Sequence, residues 1–268
     1  MPASINQDLW NLSKLYYISY GSKEQIKIDA SVDGIKTKLT SYFGKDLFKI
    51  IEFGSYRRDT LLPRQFDPHS DVDLMLIFNH ASLDLTPGTY RTRLLKFVEE
   101  KYPRSKGYRD SPTVVLELDH INYDLVPGYE QSYPIGFHNR LFIPASNSRW
   151  QETNPNDFNQ ELTTANGRHN YIIKPLIRLV KAANAKADYP LSTYELEQHV
   201  ARTYYLGCST LQDYFFRSIE SLPEPFFGNV TAASRIQAIK ATARRVKQHL
   251  DQDNLLAAHA WLKHILPL

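Results

Sequence analysis

The chain has 268 residues, 42% of them hydrophobic and 23% charged, so it is a folded chain large enough for one domain or two lobes rather than a disordered or fibrous one. A net charge of +3 is too small to call for a nucleic-acid partner, and no apolar run reaches the about 18 residues that span a membrane. The single cysteine, Cys208, excludes a disulfide framework and suits a reducing compartment. MPASINQDLW lacks the basic and apolar regions of a secretory leader, so a cytoplasmic location is expected. Cys208 itself reads as a small buried apolar residue.

In chain order, Gln7–Tyr17 reads as a helical piece. Between Lys23 and Phe43 the residues Ile28, Val32, Ile35, Leu39 and Tyr42 recur at helical spacing. Ser22 with Gln25 makes a capping box before them and Gly44 a stop after them. Phe48–Phe53 reads as a strand leading into a Gly54-Ser55 turn, and Asp71–Phe78 as a buried strand. Pro87-Gly88 reads as a linker ahead of a helix over Tyr90–Lys101. Thr113–Leu118 and Ile121–Val126, separated only by Asp119-His120, form a hairpin. Tyr129–Thr153, with Pro134 and Pro144, reads as loop. From Asn156 onward the pattern is helical. One helix carries Ile172, Leu176, Leu179 and Ala183 with an interruption near Pro175, and others cover Tyr194–Leu206, Leu211–Ile219, Ala232–Leu250 and Asn254–Ile265. The expectation is an α+β protein, with an N-terminal lobe over residues 1–150, a helical lobe over 151–268 and the active site in a cleft between them.

The chemistry is carried by three carboxylates and a small turn. Side chains alternate along a strand, so Asp71 and Asp73 share one face while Val72, Leu74 and Leu76 point into the core. In the second hairpin strand Asp124 shares a face with Asn122. If the two strands are neighbours, three acids meet. Such a trio repels itself unless cations neutralise it, and all-oxygen ligation suits two Mg²⁺ or Mn²⁺ ions with substrate phosphates completing the shell. Gly54 lets the backbone approach a phosphate, and the Ser55 hydroxyl can donate to it.

At FGSYRRDTLLPRQFDPHSDVDLMLIF (Phe53–Phe78) the chain resembles the DNA polymerase β-type nucleotidyltransferase superfamily. Within it, the chain is most similar to the bacterial CD-NTases, cyclic GMP-AMP synthase/DncV-like enzymes with a SMODS domain. YDLVPGY (Tyr123–Tyr129), RWQETNPNDFNQEL (Arg149–Leu162), KPLIRLVKAANAK and LSTYELEQHV extend the likeness over about Lys23–Val200. The resemblance implies a palm of mixed twisted sheet with helices plus a C-terminal helical lobe. It implies metal ligation by Asp71, Asp73 and Asp124, and triphosphate binding at Gly54 and Ser55. By the same carry-over Lys181 reaches donor phosphates, Ser192 or Thr193 supplies a hydroxyl, and Tyr194 stacks on a base. Arg57, like Arg58 and Arg64, either contacts phosphates or a second nucleotide, or is a paired surface charge balancing Asp59 and Asp67. Ala182-Ala183-Asn184 departs from the group's aromatic-Trp-Asn.

The implied activity is synthesis of a cyclic di- or oligonucleotide from NTPs with release of pyrophosphate, in anti-phage (CBASS) signalling. The product would act on a nucleotide-activated effector protein, with neither a membrane nor direct nucleic-acid binding involved. Two other activities fit the same residues: one-step NMP transfer onto a small molecule, RNA or protein, and nucleotide binding without turnover.

Overall fold

The computed structural model describes residues 4–132, 139–223 and 229–267. Its elements in chain order are α1 (Ile5–Leu15), α2 (Lys23–Phe43), β1 (Leu47–Phe53), α3 (Gly54–Arg57), β2 (Asp71–Phe78), α4 (His80–Leu83), α5 (Pro87–Lys101), β3 (Lys106–Asp110), β4 (Thr113–Glu117), β5 (Asn122–Gln131), β6 (Arg140–Pro144), β7 (Trp150–Thr153), α6 (Pro155–Arg168), α7 (Ile173–Lys186), α8 (Thr193–Arg202), α9 (Leu211–Glu220), α10 (Val230–Asp251) and α11 (Leu255–Ile265).

Two compact units share the chain. One holds Ser19–Arg58 and His69–Phe158; the other holds the N-terminal segment through Ile18, Asp59–Pro68 and the stretch from Asn159 onward. This partition differs from a single boundary at residue 150. The reason is packing: α1 contributes Ile5, Leu9 and Leu12 to the core and packs on α7, α9 and α11.

The first unit is built on a mixed sheet. Its order is β1-β2-β5-β4-β3, with β6 pairing β5 and β7 pairing β6. β1 runs antiparallel to β2, β2 parallel to β5, and β4 antiparallel to β5. Both faces of β2 are sheltered, since Val72, Leu74 and Leu76 and also Met75 and Ile77 are at most 1% exposed. Each such side chain contributes about 1.5–3 kcal/mol through burial. Helix α2 lays Ile28, Val32, Ile35 and Leu39 into the core. Its Ser22 cap accepts from Gln25 N–H, and Gly44 takes a positive φ of 52° where the helix stops. A side chain on Gly107 would meet Val98 of α5, so α5 lies on the face opposite Tyr108, the next residue along β3.

Several local expectations needed correction. Pro87-Gly88 opens α5 rather than a linker, because Thr86 caps the helix and proline is tolerated in the first turn. Pro175 falls in the first turn of α7, so no interruption occurs there. Helix α8 ends at Arg202, before Leu206. Tyr129–Thr153 is not all loop: β5 continues to Gln131, and β6 and β7 follow. Residues 133–138, including Pro134, lie outside the described residues. Tyr129 stacks on Phe142 at 4.9 Å and Trp150 meets Tyr129 edge-on at 4.9 Å. Cross-strand aromatic pairs thus hold these strands where local periodicity is weak. Cys208 is half-buried rather than core.

The second unit is helical. Tyr16, fully buried, donates its hydroxyl to the Pro267 carbonyl and packs edge-on against Phe66 at 4.7 Å. Tyr205 stacks on Tyr214 at 4.5 Å and shares a 2.7 Å hydrogen bond with Ser218. Among the described residues no helix is long and apolar enough to cross a membrane.

Gly128 supports the β5–β6 pairing by lacking a side chain: a Cβ there would sit 2.8 Å from the Phe142 carbonyl oxygen. Backbone is the obstacle, so Gly128→Ala is expected to lower unfolding free energy by about 1–3 kcal/mol in denaturant titration.

Candidate active site

The site of the first unit is set by strand register. In the parallel β2–β5 pair Asp73 lies opposite Asp124 and Asp71 opposite Asn122. Directly paired residues project from the same face of a sheet. Asp71, Asp73, Asn122 and Asp124 therefore share one face, as expected from the sequence.

The β1–α3 turn completes this edge. Phe53 ends β1 opposite Asp73, and Gly54 follows with φ +72°, a conformation that favours glycine. A Cβ on Gly54 would lie 1.6 Å from Asp73 Oδ2. The Asp73 carboxylate thus packs directly against the Gly54 backbone, and position 54 has no room for another side chain. Ser55 is buried. The next side chain, Tyr56, donates its hydroxyl to Asp29 of α2, which anchors the turn to that helix. Arg57 is exposed at the end of α3, whereas Arg58 is buried with its guanidinium 5.2 Å from the Phe158 ring.

Asp124 is electrostatically strained. Burial pushes Asp124 up to about 7, and the negative charges of Asp71 and then Asp110 add to the rise; the Thr113 hydroxyl offsets part of it. Asp110 was not legible as a member of this group. It sits on β3, a polar edge strand, and only its pairing with Thr113 of β4 brings it near. Asn122 carries a second signature, a buried Oδ1 with no hydrogen-bond partner.

Among the described residues no three His, Cys, Asp or Glu side chains form a ready-made metal cage. The expected trio shares a face and neighbouring register positions. Asp73 turns toward Gly54, while Asp124 feels Asp71 and Asp110. The donor set still fits a hard divalent cation: it is all oxygen, it holds excess negative charge, and Mg²⁺ takes much of its shell from water and phosphate.

The remaining expected residues lie in the helical unit. Lys181 is 3% exposed. Its Nζ donates to the Thr60 carbonyl at 3.0 Å and pairs with Glu197 Oε1 at 3.3 Å, while Thr60 Oγ1 donates to the same oxygen at 2.8 Å. The lysine expected on donor phosphates thus has its charge committed to a buried ion pair. Its helix neighbours grip the same segment: Lys174 Nζ lies 2.7 Å from Asp59 Oδ2, and Arg178 donates to the Asp59 and Ser13 carbonyls. Ser192 caps α8 by accepting from Glu195 N–H, and Thr193 is the first residue of that helix. Tyr194 is half-exposed and accepts from Gln198 Nε2 at 3.1 Å.

A family model described as the Second Messenger Oligonucleotide or Dinucleotide Synthetase domain, SMODS, matches residues 4–166. The chain belongs to the SMODS family. This SMODS protein is 26% identical to a probable cyclic nucleotide synthase of Bacillus cereus, over 59% of this chain and 56% of the relative; it spans only about half the length of that curated relative. Three solved structures share its fold. The CD-NTase CdnG of Bradyrhizobium diazoefficiens, in complex with GTP, superposes with a TM-score of 0.67 at 13% identity, covering 97% of this chain and 98% of that one. The CdnE cyclic dinucleotide synthase of Elizabethkingia meningoseptica, with GTP and Apcpp, gives 0.65 at 15%, covering 87% and 96%. DncV of Vibrio cholerae, holding the linear intermediate pppA(3′,5′)pG, gives 0.62 at 12%, covering 82% and 68%. The α+β architecture with its mixed twisted sheet is therefore the polymerase β-like fold of the CD-NTases.

Two measurements test the electrostatics of the SMODS protein. Asp124 holds its proton more tightly folded than unfolded, so its contribution to stability is full below about 4 and is lost as pH rises toward about 7. Without divalent cations, Asp124→Asn is expected to become more stable than the parent across that window and to hold a constant advantage above it, read as Tm against pH. Lys181→Met takes the positive charge away from the buried Glu197; it is expected to cost about 3–5 kcal/mol in chemical denaturation, and Lys181→Met/Glu197→Gln to recover part of that loss.

Proposed function

We propose that this protein is a divalent-cation-dependent nucleotidyltransferase that joins NTPs into a cyclic di- or oligonucleotide and releases pyrophosphate. The observation that carries this reading is the β2–β5 register, which sets Asp73 beside Asp124 on the face where Gly54 leaves β1. Family membership and the CD-NTase fold support it.

In this reading Gly54 and Ser55 bind the donor triphosphate, with the small residue allowing close backbone approach and the hydroxyl donating to a phosphate oxygen. Asp71, Asp73 and Asp124 hold Mg²⁺ or Mn²⁺, two ions per site. When bound, these supply charge neutralisation at the transferring phosphoryl group and lower the pKa of the attacking hydroxyl. Asp124 lies on the side from which that hydroxyl comes and accepts its proton. The hydroxyl oxygen bonds to the α-phosphorus as the bond to pyrophosphate breaks in line. A second round on the linear product closes the ring. Tyr194 is proposed as a base-stacking surface and Ser192 and Thr193 as hydroxyl contacts. Lys181 acts through the Thr60–Glu197 node rather than on phosphate. The proposed setting is cytoplasmic, with a cyclic product that activates a separate effector protein in anti-phage signalling.

Incubation with all four NTPs and Mg²⁺ or Mn²⁺, read by mass spectrometry, is expected to yield a phosphatase-resistant cyclic product. Asp71→Ala, Asp73→Ala and Gly54→Ala should each lower its rate by at least about 100-fold. The divalent cation should also raise the Tm of the parent but not of Asp124→Asn. An acceptor-linked NMP with no nucleotide oligomer would replace this reading with one-step transfer. Unchanged product from Asp71→Ala/Asp73→Ala would remove the site altogether.

A further inference from the structure

The Gly54-Ser55 turn cannot hold its own place, and the inference drawn from this rests on the nucleotidyltransferase reading above. Helix α3, Gly54–Arg57, is four residues long. That is far below the about 12–15 residues at which an isolated helix becomes stable in water. Its position is therefore set by what it touches. On one side is Asp73. A Cβ on Gly54 would lie 1.6 Å from its Oδ2, so the turn cannot move further onto the acids. The restraint on the opposite side comes from α2.

Strand register shows how. Glu52 of β1 pairs with Leu74, one position before Phe53 pairs with Asp73. Successive residues point to opposite faces, so Glu52 leaves β1 on the face away from the acids. There its carboxylate accepts from Lys36 Nζ of α2. Beyond the turn, the Tyr56 hydroxyl donates to Asp29 Oδ1 of the same helix. Glu52 and Tyr56 thus bracket Gly54, two residues before it and two after. On α2 their partners are seven residues apart, which is two helical turns. Each partner directly follows a core residue, Ile28 or Ile35, so both lie on one flank of α2. That helix is 21 residues long and buries a full row of side chains, which makes it a firm anchor. All four tying side chains are half-buried. Burial and the Asp29 charge hold the Tyr56 phenol well above its ordinary value, so it keeps the proton it donates.

We infer that Tyr56 with Asp29, and Glu52 with Lys36, are positioning residues for the triphosphate of the donor nucleotide. They brace both ends of the Gly54-Ser55 turn against α2, and Asp73 stops it from the other side. The Gly54 backbone and the Ser55 hydroxyl are thereby held beside the acids before any nucleotide arrives, which removes an ordering cost from binding. The four residues act through the turn and not on the nucleotide.

Inorganic tripolyphosphate with Mg²⁺ tests this, because it carries the phosphates but neither base nor ribose. Tyr56→Phe keeps the ring and loses only the hydroxyl. Asp29→Ala removes the acceptor, whereas Asp29→Asn keeps one. Tyr56→Phe and Asp29→Ala should each raise the Kd of tripolyphosphate about 10-fold, since a small misplacement of a binding group costs at least that much. Asp29→Asn should stay within about twofold of the parent. Tyr56→Phe/Asp29→Ala should be no worse than either change alone, because the same tie is lost in all three, and Lys36→Met should add to it by cutting the second tie. In turnover these variants should raise KM for NTP more than they lower kcat. A lowered Tm in Tyr56→Phe and Asp29→Ala with an unchanged Kd would overturn the inference. If the parent makes the cyclic product and Tyr56→Phe leaves Kd unmoved, the braces fall and the reaction stands. A parent that binds tripolyphosphate in this brace-dependent way yet makes no oligonucleotide would refute the reaction and leave the braces standing.

Discussion

Everything chemical in this protein depends on one backbone relationship, the parallel pairing of β2 with β5. It places Asp73 beside Asp124 and Asp71 beside Asn122, and all four side chains leave the sheet on one face. A slip of one residue would turn Asp124 into the layer occupied by Tyr123 and Leu125, both fully buried. The register is held because the alternate positions of both strands are apolar and enclosed. The core therefore fixes the acids as a side effect of packing, and the acids are tolerated because the core has no alternative register.

Two kinds of charge burial coexist here and have opposite meanings. At Lys181 every polar atom in view has an answer: the ammonium meets Glu197 and the Thr60 carbonyl, and the Thr60 hydroxyl meets Glu197. Such a node ties α7 and α8 to the Thr60 segment. At Asp124 the neighbours are other acids. A protein tolerates such frustration where an incoming molecule relieves it. The contrast is between a cation whose charge is matched inside the protein and an acid whose charge is not.

Much of this was legible from residue order. The alternation in DVDLMLIF, the Asp119-His120 break and the Gly54-Ser55 turn are local signals, and local physics enforces them. What escaped was set by partners far along the chain. β3, KGYRD, has no apolar alternation because it is a solvent-facing edge, and it becomes a strand only by pairing with β4. That concealed Asp110. β6 and β7 are held by the Tyr129, Phe142 and Trp150 rings rather than by periodicity. Lys181 resembles a phosphate ligand by its position in a motif, while its pairing with Glu197 of α8 depends on a residue in the next helix.

The parallel β2–β5 pair has a further consequence, for folding kinetics. A parallel pair needs a crossover, and here α5, β3 and β4 all intervene between its strands. The antiparallel pairs β1–β2 and β4–β5 join neighbours in the chain and close early, whereas β2–β5 carries the larger loop-closure entropy and closes late. The acidic centre is then assembled only after both flanking antiparallel pairs, so a chain in which they alone have formed still holds Asp73 and Asp124 apart.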